Sequence, residues 1–72
     1  MKIGGFLKER RREAGLTTRV LGEKAGVSWS YVAALERGKY SPTLPVLHRL
    51  LKALDVGWVE FLTATGYIKK EK

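Results

Sequence analysis

Cysteine is absent from this chain of 72 residues, which removes disulfide bridges and thiolate metal sites and leaves the fold to be held by packing alone. A cysteine-free chain suits a reducing compartment, so a cytoplasmic setting is expected. Acidic residues are scarce too, seven Asp and Glu against fourteen Lys and Arg, giving a formal charge of +7 and a pI near 10.1. Such a field favours polyanionic partners. Long apolar runs are missing: the longest stretch without a charge, Ala25 to Leu35, falls well short of the ~20 residues of a membrane-spanning helix. The opening Met-Lys-Ile-Gly-Gly lacks the apolar stretch of an export signal, so neither spanning nor export is expected. His48 is the single histidine and reads as a plain surface residue, with no ligand set or nucleophile around it in sequence. The carboxylates show neither an acid–base pairing motif nor metal-loop spacing, and Gly4-Gly5 reads as a terminal hinge or fray, not a phosphate loop. No enzyme, cofactor, metal or small-molecule ligand is expected.

What is present is helical spacing. The size allows one small domain, taken as residues 1–68 with a basic tail at 69–72, and Gly, Pro and capping residues divide it into five helical segments without strand alternation. The fold class is all-α. Helix one runs from about Ile3 to Ala14 with Ile3, Phe6, Leu7 and Ala14 on one stripe, and Gly15 closes it. Thr17 can cap helix two, Thr18 to Ala25, and Ser28 can cap helix three, which Gly38 ends. Thr43 can cap a fourth helix that tolerates Pro45 in its first turn and has Leu44, Leu47, Leu50, Leu51 and Leu54 as its apolar face. A fifth, about Trp58 to Thr65, buries Phe61 and Leu62 before Gly66.

Helices two and three carry the most specific pattern. Two helices of about eight residues are joined by a short turn, with small Gly22, turn-forming Gly26, and apolar Leu21, Ala25, Val27, Val32 and Leu35 at fixed offsets, which is helix-turn-helix spacing. A side chain at 22 would wedge the helices apart, and a Cβ at 26 would resist the left-handed turn. From about Phe6 to Leu62 the chain resembles the Cro/repressor (XRE-like) helix-turn-helix proteins, in the segments LKERRREAGLT, LGEKAGVS, ALERGKYSPTLPVLHRLLKALDV and FL. The resemblance implies a compact five-helix repressor-like domain that binds double-stranded DNA, usually as a two-fold homodimer, and represses or autoregulates transcription. It also implies an ion pair between Arg11 and Glu36 beneath helix three, where each charge alone reads as an ordinary surface residue. The chain departs from the family at Thr18, where glutamine is frequent, and at Trp29 and Ala34, where amide side chains are frequent.

After Ser28 the residues expected to face a base edge are Trp29, Ser30, Ala33 and Ala34, an unusually apolar set. Alanine can touch a thymine methyl and serine can donate to or accept from any base, so an apolar reader is feasible but of modest discrimination. Trp29 has a second reading, packing near Thr18 and Val20. Thr18, Lys39, Tyr40 and Ser41 are placed for phosphate contact, at helix starts and in the loop before helix four. Lys8, Arg10 and Arg12 form either a solvated face or a steering field. Trp58, Val59, Tyr67 and Ile68 are more apolar surface than one short helix can bury, and mark a dimer interface; the alternative is that Trp58 closes the core of its own chain. A competing reading makes Trp29, Ala33 and Ala34 a patch for a protein partner, whose binding would survive high salt.

Overall fold

The computed structural model describes residues 2–69, so of the expected tail only Lys69 falls within it. Its order is α1 (Ile3–Glu13), α2 (Thr18–Ala25), α3 (Trp29–Glu36), α4 (Leu44–Ala53) and α5 (Trp58–Ala64), with no strand among the described residues. Three helices start on side-chain caps: Val20 N–H donates to Thr17 Oγ1 at 3.1 Å, Tyr31 N–H to Ser28 Oγ at 3.2 Å, and Val46 N–H to Thr43 Oγ1 at 3.3 Å. Each hydroxyl satisfies a donor that has no partner within its own helix.

α2 packs on α3 and α4, and α1 packs on α3. Between them lies one core: Phe6 and Leu7 from α1, Leu21 and Ala25 from α2, Val32 and Leu35 from α3, and Leu47, Leu50 and Leu51 from α4. Phe61 brings α5 in, its ring meeting Phe6 edge to face at 5.4 Å and 79°. Burying a phenylalanine of this kind contributes about 1.5–3 kcal/mol, so this ring pair anchors an α5 of only seven residues to the bundle.

Three expectations are corrected. Ala14 is exposed, because α1 ends at Glu13 and Ala14 is already its C-cap. Leu44, at the first turn of α4, is 71% exposed, since the core side of α4 begins at partly buried Val46 and is fully buried only from Leu47. Gly4 and Gly5 are neither hinge nor fray but lie inside α1. A Cβ on Gly4 would sit 2.3 Å from the Leu35 carbonyl oxygen and 2.8 Å from that of Glu36, so the missing side chain is what lets α1 run directly against the end of α3.

Candidate nucleic-acid interface

α3 is held rigidly from both ends. At its start a Cβ on Gly22 would lie 2.6 Å from the Val27 carbonyl oxygen and 3.3 Å from the Trp29 nitrogen, so α2 is in backbone contact with the turn. Gly26 supplies that turn at φ 74°, and Val27 N–H closes it on the Gly22 carbonyl at 2.9 Å. At its end, Arg11 donates from Nε to Glu36 Oε2 at 2.7 Å and from Nη2 to Oε1 at 3.0 Å, while Nη1 reaches the Leu16 carbonyl at 2.8 Å. The structure thus brings Arg11 and Glu36 together as a bidentate pair with side chains 13% and 5% exposed. Hydrogen bonds to the Glu36 carboxylate hold the Arg11 guanidinium above its ordinary pKa; burial works against this and the Coulombic attraction of Glu36 adds to it. The pair fixes the orientation of α3 and leaves no charge over to meet a ligand.

With that orientation set, the outward side of α3 can be read directly. Trp29 is 52% exposed, Ser30 is exposed and hydroxyl to hydroxyl with Ser28 at 3.4 Å, Ala33 is half-buried, and Arg37, the C-cap, is exposed. Residues 29, 33 and 37 are spaced by four and form one stripe. Ala34 does not belong to it. Expected to face outward, it is 5% exposed; after α3 the chain folds back, with Lys39 N–H donating to the Ala34 carbonyl at 3.0 Å and Tyr40 stacking on Tyr31 at 6.2 Å. Base contact by the Ala34 methyl is therefore withdrawn.

The same fold-back shapes the loop beside α3. Lys39, Tyr40 and Ser41 are all exposed, and Lys39 Nζ lies 5.5 Å from the centre of the Tyr40 ring, within cation–π range. Thr18, the first residue of α2, is half-buried. Arg37 escaped the reading of the sequence, as did Arg19, exposed in the first turn of α2. The signal for Arg37 was there in the i, i+4 continuation from Trp29 through Ala33.

Of the four apolar residues assigned to a dimer surface, Val59, Tyr67 and Ile68 are 70%, 65% and 42% exposed. Trp58 is turned into its own chain: its Nε1–H donates to His48 Nδ1 at 3.2 Å and its ring meets Phe61 edge-on at 5.9 Å. His48 is therefore exposed but not a plain surface residue, since its Nδ1 accepts from α5. Among the described residues no His, Cys, Asp or Glu cluster could hold a metal ion, and no helix is long and apolar enough to cross a membrane.

A helix pair welded at Gly22, with a solvent-facing second helix and a basic loop beside it, matches the helix-turn-helix domain family over residues 2–62. The chain belongs to that family of DNA-binding transcriptional regulators, in its Cro/repressor (XRE-like) branch. An uncharacterized HTH-type transcriptional regulator of Methanothermobacter thermautotrophicus is 46% identical over 55 residues, 76% of this chain and 80% of that protein. The immunity repressor protein of Bacillus phage phi105 is 36% identical over 72 residues, all of this chain and 50% of the repressor. Among solved structures, the restriction-modification controller protein C.Esp1396I superposes with a TM-score of 0.81 at 26% identity, covering 89% of this chain and 83% of the controller. The clp gene regulator ClgR from C. glutamicum superposes at 0.80 with 30% identity, covering 94% and 90%.

Proposed function

We propose that this chain is a cytoplasmic, non-catalytic repressor that recognises a specific operator by laying the Trp29–Ser30–Ala33–Arg37 side of α3 in the major groove. The observation that carries the reading is the exposed stripe on α3 with Arg37 and Lys39 at its end, since it joins a groove-sized helix to cations free to meet phosphate or a guanine edge. Ser30 and Ala33 read base edges and a thymine methyl, Trp29 stacks on sugar or methyl, and Thr18, Lys39, Tyr40 and Ser41 hold the backbone in register. Val59, Tyr67 and Ile68 pair across a two-fold axis, which sets half-sites roughly 34 Å apart. The phage and controller relatives, named for repression and control, support the regulatory role.

Selection of binding sites from random duplex DNA tests this, followed by sedimentation of the protein with the selected duplex and comparison with Ala33→Glu. A palindromic site bound by two chains is the expected result, with Ala33→Glu folded and at least about 100-fold weaker, since a carboxylate in the groove loses a contact and faces phosphate. A folded Ala33→Glu protein with unchanged affinity would remove α3 from the groove.

A further inference from the structure

A second charged surface lies away from the stripe. A groove of about 400 Å³ runs between the C-terminal halves of α2 and α4, lined by Lys24 on one wall, Arg49 and Lys52 on the other, and Ala25 and Ala53 between them. All three cations are exposed, and among the described residues none makes an ion pair and no carboxylate lines the groove. The helix-end carbonyls here are already occupied: Gly22 by Val27 N–H at 2.9 Å, Leu51 by Val56 N–H at 2.9 Å, and Lys52 by Asp55 N–H at 3.1 Å. Among the described residues, then, no carboxylate or helix-end carbonyl is paired with the three side chains.

Of the residues assigned to DNA, Thr18 opens α2 and Ser41 lies shortly before Leu44, the first residue of α4. Lys24 lies six residues beyond Thr18 and Lys52 eight beyond Leu44, about 9 and 12 Å along the helix axes. The groove therefore lies toward the other end of each helix from those two residues. We propose that it is a docking site for an acidic segment of a partner protein, which would be held while the regulator is on DNA. Charge complementarity identifies the occupant, and the lining narrows it. There is no aromatic ring in the groove for a base to stack on, and its polar side chains are two lysine ammonium groups and one arginine guanidinium over a floor of two alanines. Arg49 and Lys52, three apart on α4, face Lys24 across the gap, an arrangement that suits successive carboxylates of a peptide.

The test uses the full chain with an acetylated, amidated hexaglutamate peptide bearing fluorescein, read by anisotropy and by backbone amide shifts. Expected are shifts at residues 24–26 and 49–55 that persist when a duplex is bound. The triple variant Lys24→Ala, Arg49→Ala, Lys52→Ala should bind the peptide about tenfold more weakly. Lys2→Ala, Lys8→Ala, Arg12→Ala removes the same charge elsewhere and should bind within about twofold of the parent. Equal weakening by both triples overturns the site, leaving only a diffuse basic field. Displacement of the peptide by duplex, or groove shifts caused by the duplex itself, also overturns it and assigns the groove to nucleic acid. The outcome does not depend on operator recognition, because any duplex serves.

Discussion

Two adjacent glycines in α1 should respond to the same substitution with opposite sign. Alanine is favoured over glycine inside a helix by about 0.8–1.0 kcal/mol, so on propensity alone both Gly4→Ala and Gly5→Ala stabilise the domain. Gly5 is exposed, so a methyl there points away from the core and the propensity gain is expected to show. At Gly4 the new methyl would meet the Leu35 carbonyl oxygen at 2.3 Å and that of Glu36 at 2.8 Å, an overlap of about 1 Å against an ordinary carbon–oxygen contact. Both obstacles are backbone, so no rotamer change relieves them and α1 must move. A retreat of that size opens the layer formed by Phe6 and Leu7, 2% and 1% exposed, against Leu35 and Phe61. Overpacking of this kind costs about 2–3 kcal/mol, which leaves a net loss of roughly 1–2 kcal/mol after the propensity gain.

For a domain of this size 1 kcal/mol moves Tm by about 4–8 °C. Thermal unfolding followed by far-ultraviolet circular dichroism should therefore show Gly4→Ala lowered by about 5–15 °C and Gly5→Ala raised by up to about 8 °C. The pair controls for helix propensity and for position in the chain. If Gly4→Ala unfolds at or above the parent temperature, the close approach of α1 to α3 is not what holds the two helices together.

Three further outcomes are expected. Glu36→Gln keeps the shape of the pair but leaves the mostly buried guanidinium of Arg11 without its carboxylate, and should cost about 2–3 kcal/mol in urea unfolding, somewhat under the fully buried case because Arg11 keeps 13% exposure and its bond to Leu16. A loss below about 0.5 kcal/mol would make the pair a spectator. Because Arg11 titrates above the ordinary arginine range, its share of that stability is complete at lower pH and is lost only as pH rises through the raised value, so it stays flat through neutral and moderately alkaline solution. Lys39→Ala should weaken binding to every duplex alike and lower the slope of log K against log salt by about one, and a loss confined to the selected operator would move Lys39 from phosphate to a base.

The elements that were legible in the sequence are those whose causes are local. Thr17, Ser28 and Thr43 each cap within three residues, and Gly22, Gly26 and Val27 constrain a turn only a few residues long. Gly4 was misread because the carbonyls that require it lie on α3, some thirty residues away in sequence, and nothing next to it announces them. Ala34 is misplaced for a similar reason: helical spacing alone leaves it on an open side, and its burial to 5% depends on packing from outside α3 that no local pattern announces. The pairing of Trp58 with His48 spans two helices whose angle no local pattern sets.

Removing Ala34 from the reading side sharpens how the proposed recognition divides along α3. Trp29 and Arg37 are eight residues apart, about 12 Å, the rise of three to four base pairs. Between them stand only a hydroxyl and one methyl, at Ser30 and Ala33. A methyl contact from Ala33 contributes about 0.5–1 kcal/mol, whereas a bidentate arginine–guanine pair discriminates by about 1–3 kcal/mol. The centre of such a helix therefore sets how closely the backbone enters the groove more than which base it meets. Small residues do at this surface what Gly4 and Gly22 do inside, letting one backbone come near another structure. Sequence preference should then concentrate at the two ends of the contacted step, strongest beside Arg37, with the central pair tolerant of substitution.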